Sequence, residues 1–204
     1  MKLYYKQGAC SLAPHIVLRE AGLDFDLVKV DLVTKTLADG SDFRAVNPKG
    51  QVPTLAFGEA GILTEVAVIV QYVADKAPDS GLIPAAGTME RYRVQELLNF
   101  IATELHKGVV PLFPMLKEFV PDSYREFAGK VLGGKLAVLN KQLEGKAYLT
   151  GETFTVADAY AYTVLSWLPR IGFDLSPFPN LVVFAERVAA RPAVQAAHAA
   201  EAQG

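Results

Sequence analysis

Much that would identify a protein class at once is absent from this sequence. One cysteine, Cys10, stands among 204 residues, so no disulfide can form within the chain and nothing requires an oxidising compartment. The 20 basic and 22 acidic side chains leave no positive excess of the kind that a nucleic-acid-binding surface needs. Apolar runs end before the roughly 18 residues of a membrane helix, and the first residues show no basic region followed by an apolar stretch. We expect a cytoplasmic protein whose partners include neither nucleic acid nor membrane.

Histidine is scarce too. No second histidine or cysteine stands at the spacing of a zinc site from His15, His106 or His198, so we expect no metal. Apolar residues, in contrast, are plentiful: 51% of the chain is hydrophobic, which is enough to build a sizeable core. At this length the chain can form one large domain or two small ones, and the pattern along it favours two.

Strand and helix patterns alternate through the first part of the chain. Apolar alternation and helical spacing predict strands over 2–5, 25–30, 54–57 and 62–63 and helices over 12–21 and 65–77. With a cysteine after the first strand, this β-α-β-β-β-α order is the plan of a thioredoxin-like domain. We place that domain at residues 1–80.

The rest of the chain is predicted to be helical. Residues 81–88 are rich in proline and glycine, which suits a linker. Beyond them the pattern predicts an all-α domain over residues 89–204, in which Thr155 and Asp158 form a capping-box-like helix start. The helices are predicted at 89–116, 123–143, 156–167, 179–190 and 192–200.

Cys10 lies where the first strand gives way to the first helix. A thiol at a helix N-terminus meets unsatisfied N–H groups and the positive end of the helix dipole, which favour the reactive thiolate. A buried packing cysteine is the other reading. Since no second cysteine follows, any disulfide of Cys10 joins it to another molecule, and the abundant thiol of a reducing cytoplasm is glutathione. Ser11 would add a hydroxyl donor to the thiol, whereas His15 is expected to be structural.

A proline that opens the third strand is a second landmark of the thioredoxin-like plan, and Pro53 occupies that place. We expect a cis bond that turns the N–H and C=O of Val52 outward for pairing with an extended peptide; a trans edge-strand proline is the alternative. Lys35 would hold the glycine carboxylate of a bound glutathione. Glu65, which begins a helix, would hold its ammonium group, unless both are solvated surface charges.

Polar residues recur along the first helix of the second domain. Asn99, Thr103 and His106 are spaced by four and three residues, so they are predicted to share one helix face. The face is either a satisfied core network or, if it meets Cys10, a site at which the histidine favours the thiolate.

Several segments together are similar to the motifs of one known family. Over nearly its whole length the chain resembles the beta class of bacterial glutathione transferases. The matching segments are Gly8-Ala9-Cys10-Ser11-Leu12-Ala13-Pro14-His15, Asn47-Pro48-Lys49-Gly50-Gln51-Val52-Pro53, Leu63-Thr64-Glu65, Ile101-Ala102-Thr103-Glu104-Leu105-His106-Lys107, Phe154-Thr155-Val156-Ala157-Asp158-Ala159 and Arg191-Pro192-Ala193-Val194.

The resemblance implies a glutathione-binding thioredoxin-like domain, a helical domain with the electrophile site and the dimer contacts, and a homodimer with glutathione as co-substrate. Cys10 and His106 would be catalytic, the first facing or bonding the glutathione sulfur and the second lying near it. The residues implied in glutathione binding are Cys10, Lys35, Gln51, Val52, Pro53, Glu65, Val66, Asn99, Thr103, Glu104, His106 and Lys107.

Val66 departs from the family, which often has serine or glycine at this position. The backbone N–H remains, so the mechanism is expected to be unchanged. We expect glutathione binding to be weaker by about 0.5–1.5 kcal/mol, the value of one hydrogen bond.

Three functions fit these residues. The leading hypothesis is conjugation of reduced glutathione to a hydrophobic electrophile that docks against the helical domain. The alternatives are thiol-disulfide exchange or peroxidase chemistry through a Cys10 mixed disulfide, and non-catalytic ligand binding on the same scaffold. A cysteine-hydrolase triad with His106 and Asn99 is disfavoured, because those two share a helix face and Pro53 indicates the thioredoxin-like plan.

Overall fold

The computed structural model describes residues 1–203, and the chain folds into two compact units. One comprises the residues up to Ile83 together with the segment from Arg191 onward, and the other comprises Pro84–Ala190. Within the described residues no helix is long and apolar enough to span a membrane. The strands are β1 (Lys2–Tyr5), β2 (Asp26–Asp31), β3 (Thr36–Leu37), β4 (Thr54–Ala56) and β5 (Ile62–Thr64). The helices are α1 (Leu12–Glu20), α2 (Val66–Lys76), α3 (Met89–Phe100), α4 (Lys107–Val109), α5 (Asp122–Gln142), α6 (Val156–Leu165), α7 (Pro179–Ala189) and α8 (Pro192–Gln203).

A five-stranded mixed sheet, in the order β3-β2-β1-β4-β5, forms the base of the first unit. β1 is parallel to β2 and antiparallel to β4, so Leu3 pairs with Leu27 on one side and with Leu55 on the other. The β1-α1-β2 crossover, followed by the β4-β5 hairpin and α2, confirms the predicted thioredoxin-like order. β3 is an addition of two residues, which is too short to leave an alternating pattern in the sequence.

Helix α1 packs between α2 and α8. Every residue from Leu12 to Leu18 is buried, because helices cover it from more than one side. The last helix contributes Val194 and Ala197, both fully buried. This helix was predicted to belong to the all-α domain, but it lies in the first unit instead, since its buried side chains pack on α1.

The long helix that opens the second unit ends earlier than predicted. α3 continues through a π-helical segment, Ile101–His106, into α4, so helical structure runs to Val109 rather than to residue 116. Two 3-10 turns follow. Phe113, between them, is extended at φ −61° and ψ 136°. It precedes Pro114, and a proline ring disfavours helical conformation in the residue before it.

The start of α6 has the predicted capping box. The Asp158 carboxylate accepts hydrogen bonds from the N–H of Thr155 at 2.7 Å, from its hydroxyl at 2.9 Å and from the N–H of Leu149 at 2.8 Å. Every residue of α6 is buried, so this helix is the centre of the second unit. Burial raises the pKa of Asp158 to about 6 in spite of these hydrogen bonds.

Candidate active site

The connection between β1 and α1 carries Cys10. Gly8 turns the chain at a φ of 66°, which glycine adopts readily, and Cys10 lies two residues before the start of α1. The half-buried thiol donates a hydrogen bond to the carbonyl of Val52, with 3.2 Å between sulfur and oxygen. Cys10 therefore lies at the beginning of a helix and beside Val52, the residue before Pro53 whose backbone was predicted to pair with an extended peptide.

The hydroxyl of Ser11 does not serve the thiol. Ser11 is fully buried, and its hydroxyl accepts a hydrogen bond from the N–H of Lys6 and donates one to the carbonyl of Lys6, each at 3.2 Å. A hydroxyl has one proton to donate, and here that proton closes the turn before α1. The expectation of a Ser11 donor to Cys10 is wrong.

The loop before β4 fixes the backbone of Val52. The peptide bond between Val52 and Pro53 is cis, which confirms the prediction. Buried Asn47 donates from its side-chain amide to the carbonyl of Gln51 and to the hydroxyl of Thr54, both at 2.9 Å. This role of Asn47 was not predicted. The Asn-Pro dipeptide, a common turn signal, is the feature that marks it.

Lys35 and Glu65 share an unusual backbone conformation. Among the described residues they are the two non-glycine residues with positive φ, at 61° and 70°. Residues with a Cβ avoid this region, and those held in it cluster at functional sites. The Lys35 ammonium donates to the carbonyl of Gly50 at 3.0 Å, beside the loop that leads to Val52.

The beginning of α2 combines a carboxylate with backbone donors. Glu65 occupies the capping position, and its carboxylate pairs at 2.9 Å with Lys49, a partner that the sequence analysis did not consider. Val66 is the first residue of α2, and its side chain is buried. Its N–H, like those of any first helical turn, has no acceptor within the helix. This helix start can therefore receive a carboxylate on its N–H groups and an ammonium on Glu65.

The second unit carries its candidate residues on and around the π-helical turn. Asn99 and Thr103 are exposed, and the Thr103 hydroxyl donates to the carbonyl of Asn99 at 3.0 Å, whereas His106 is half-buried. The predicted shared face assumed α-helical spacing, whereas Ile101–His106 form a π-helical segment, in which a turn holds more residues. One polar face common to the three side chains therefore stays a prediction.

Two charged candidate residues lie within or directly after the π-helical segment. Glu104 pairs with Lys135 of α5 at 2.9 Å, and Lys107 is exposed. Across the described chain, acidic, histidine and cysteine side chains form no group of three or more that is placed to hold a metal ion.

His106 is held by aromatic neighbours within the second unit. Its Nδ1 lies 2.8 Å from the hydroxyl of Tyr160 on α6. The ring of Trp167 meets the imidazole edge to face, with 4.9 Å between ring centres, and the ring of Phe113 is tilted against Trp167 with 5.8 Å between centres. Tyr160 and Trp167 are buried. Tyr160 was not predicted, because it lies 54 positions from His106 in the chain and no local pattern marks it.

A buried chain of hydrogen bonds ties α8 to the Cys10 connection. Arg19 donates to Nε2 of His15 at 2.9 Å, and since arginine only donates, Nδ1 is the ring nitrogen of His15 that carries the proton. Nδ1 lies 3.1 Å from one carboxylate oxygen of Glu201, and the other oxygen accepts the N–H of Gly8 at 2.9 Å. Burial and, after it, the charge of Glu201 raise the pKa of Tyr5. No local pattern marks Glu201, because it is 186 positions from His15 in the chain.

Comparison with known proteins places this geometry in a family. Two family models match: the glutathione S-transferase N-terminal domain over residues 8–76 and the C-terminal domain over residues 100–192. The glutathione S-transferase GstA of Escherichia coli O157:H7 is 47% identical over 201 residues, which are 98% of each chain. The structure of a sphingomonad glutathione S-transferase complexed with glutathione is 44% identical, covers 100% of both chains and has a TM-score of 0.93. A bacterial beta class glutathione S-transferase from Sphingomonas chungbukensis is 45% identical over 98% of each chain, with a TM-score of 0.92.

The chain therefore belongs to the glutathione S-transferase family. Within that family, the beta class indicated by the sequence motifs is confirmed by these structural neighbours. The prediction of a glutathione S-transferase enzyme, with a thioredoxin-like part followed by helices, is confirmed as well.

Proposed function

We propose that this protein conjugates reduced glutathione to a hydrophobic electrophile and holds the glutathione sulfur near Cys10. The observation that carries the proposal is the 3.2 Å hydrogen bond between the Cys10 thiol and the carbonyl of Val52. It puts the one thiol of the chain beside the backbone of Val52, with which an extended tripeptide would pair. The glutathione in the sphingomonad relative supports the same ligand here.

The first unit would bind the tripeptide at several points. The backbone of Gln51 and Val52 would pair with its middle, next to Pro53. Lys35 would hold the glycine carboxylate and Glu65 the ammonium group, and the N–H of Val66 would receive the γ-glutamyl carboxylate. The positive φ of both Lys35 and Glu65 supports these roles, because such backbone conformations persist where function requires them.

The second unit would supply the group that acts on the sulfur. His106 would favour the thiolate through its imidazole, and Asn99, Thr103, Glu104 and Lys107 would line the glutathione site. We propose further that the protein is a homodimer in which some of these contacts cross between subunits, and that it works in the reducing cytoplasm. Both points rest on the resemblance to the beta class.

Thiol-disulfide exchange is the second candidate, and the position of Cys10 at the start of α1 favours it. The Cys10 thiolate would attack a glutathione mixed disulfide, bond to the glutathione sulfur and release the partner thiolate. Glutathione thiolate would then attack the Cys10 adduct and leave as oxidised glutathione, which restores Cys10. A peroxide-derived sulfenic acid on Cys10 would be recycled through the same adduct.

A Cys10→Ala variant separates the two reactions, with Cys10→Ser as the matched control that keeps a small polar side chain. If Cys10 tunes a conjugation site, transfer of glutathione to an aryl halide survives in part in both variants. Reduction of a mixed disulfide by glutathione disappears in both. Complete loss of conjugation in variants that still bind glutathione would favour the exchange reaction. A wild-type protein that neither binds glutathione nor turns over an aryl halide would overturn the proposal.

A further inference from the structure

We propose that the buried hydroxyl of Tyr160 is the positioning group of His106 and that it sets which nitrogen of the imidazole can act. The Tyr160 oxygen lies 2.8 Å from Nδ1 of His106, and the two rings are perpendicular with centres 5.9 Å apart. The contact lies within the second unit. The proposal rests on the proposed function only in the step from His106 to the glutathione sulfur.

Burial makes this hydrogen bond consequential. Tyr160 is 2% exposed and lies on a helix whose residues are all buried, so its hydroxyl needs a partner inside the protein. The π-helical turn brings the His106 ring to that hydroxyl. Trp167 packs edge to face against the same imidazole at 4.9 Å. Two buried aromatic side chains thus fix both the plane of the ring and the direction of its Nδ1.

A hydroxyl suits a histidine that changes charge. It can donate to Nδ1 of the uncharged imidazole and accept from Nδ1–H of the imidazolium without moving, because a hydroxyl is both donor and acceptor. Hydrogen bonds from a charged donor are the stronger ones, roughly twofold, so Tyr160 favours the protonated ring. With Nδ1 engaged in this way, Nε2 is the nitrogen through which His106 acts on the glutathione sulfur.

The protein contains its own reporter of this imidazole, because Trp167 is the one tryptophan of the chain. An imidazolium quenches a neighbouring indole more than an uncharged imidazole does. The intrinsic fluorescence should therefore fall as the pH is lowered through the titration of His106. That step should vanish in His106→Asn. Glu104 of the π-helical segment, Lys107 at the start of α4 and Lys135 of α5 are unchanged in every variant and do not create a difference between them.

Tyr160→Phe tests the positioning role directly. The midpoint of its fluorescence titration should move to lower pH by roughly half to one pH unit, because the charged ring loses the stronger hydrogen bond. Tyr162→Phe, which removes a hydroxyl from the same helix, should titrate as the wild type does. A midpoint in Tyr160→Phe that equals the wild-type midpoint would overturn the proposal.

Enzyme kinetics separate this inference from the proposed function. For conjugation, kcat should fall by about tenfold in Tyr160→Phe, the equivalent of one hydrogen bond, while the KM for glutathione stays unchanged. If the fluorescence shift occurs and no variant or wild type conjugates glutathione, the proposed function fails and the positioning role stands. If conjugation occurs and the fluorescence midpoint does not shift, the positioning role fails alone.

A measurement on the wild type keeps the proposal testable if Tyr160→Phe does not fold. The chain has three histidines, so nitrogen NMR of histidine-labelled protein can assign His106 by comparison with His106→Asn. Above the titration, one tautomer with two distinct ring-nitrogen signals is expected. Averaged signals from two exchanging tautomers would overturn the proposal.

Discussion

The two units hold their candidate residues in different ways. In the first unit many of the groups are backbone, such as the carbonyl of Val52, the N–H of Val66 and the N–H of Gly8 that anchors the Cys10 loop. In the second unit the candidate groups are side chains, and His106 is held by another side chain, Tyr160. Side-chain substitutions other than to proline leave the backbone groups in place. The first unit should therefore respond to changes in the residues that shape its loops, and the second to changes in the acting side chains themselves.

Removal of the Glu201 carboxylate, which supports the Cys10 loop of the first unit, should have the largest effect on stability. Glu201→Ala leaves the Nδ1–H of His15 and the N–H of Gly8 without their buried acceptor. We expect the free energy of unfolding to fall by about 2–6 kcal/mol, because each of these two donors costs about 1–3 kcal/mol when it is left without its hydrogen-bond partner. Urea denaturation measures the change, with Glu59→Ala at an exposed position of the same unit as control. A loss below about 1 kcal/mol would contradict the hydrogen-bond chain described above.

The second unit also contains a buried carboxyl, that of Asp158, and its contribution to stability should depend on pH. Burial raises its pKa in the folded protein from 3.8 to about 6. A carboxyl with a raised folded pKa stabilises the protein fully below its unfolded pKa, and that contribution is lost as the pH rises through the folded pKa. From pH 4 to pH 7, the stability of the wild type relative to Asp158→Asn should therefore fall by up to about 3 kcal/mol.

Denaturation of both proteins at the two pH values checks this expectation. The control is Glu118→Gln, which changes an exposed carboxyl of the same unit and should show no comparable pH dependence. A stability difference between the wild type and Asp158→Asn that is constant with pH would be inconsistent with the buried, proton-binding carboxyl.

Lys35, which contacts the loop before β4, and Lys49, which pairs with Glu65, are a matched pair of lysines for substitution. Lys35→Met should raise the Kd for glutathione by about 10- to 100-fold, because it removes a charged hydrogen bond to a carboxylate. Lys49→Met removes an exposed ion pair with Glu65, and such pairs contribute little, so Kd should change by less than about threefold. Calorimetric titration with glutathione measures both values. Equal effects of the two substitutions would remove the assigned role of Lys35.

The smallest expected effect concerns Val66. Val66→Ser should bind glutathione about three- to tenfold more tightly, because it restores a hydroxyl at the start of α2 and one hydrogen bond has that value. Val66→Ala is the control for the loss of the buried side chain. If the serine and alanine variants bind glutathione equally, the missing hydroxyl has no part in glutathione affinity.

The order of the fold could be predicted from the sequence because its signals are local. Apolar alternation and helical spacing identify β1, α1 and the β4-β5 hairpin from their own residues. What the sequence did not show depends on distant or irregular contacts. α8 joins the first unit through packing on α1, and the long helix ends at Val109 because Phe113 precedes a proline and is extended.

The candidate site likewise contains residues that local motifs predicted and residues that only distant contacts define. Motifs selected Cys10 and Val52, and the structure brings these two together. No sequence pattern marked the supporting residues Tyr160 and Glu201, because the residues that they contact are far away in the chain. No local pattern marked the π-helical segment near His106, for which the polar spacing assumed α-helical geometry.

Intact-protein mass spectrometry after incubation with oxidised glutathione tests the central claim most directly, namely that the glutathione sulfur meets Cys10. The Cys10 thiolate would attack the disulfide, bond to one glutathione and release the other as a thiolate. We predict a single adduct on the wild type that is removed by reduction, and no adduct on Cys10→Ala. A wild-type protein that stays unmodified under conditions in which it binds glutathione would contradict the account.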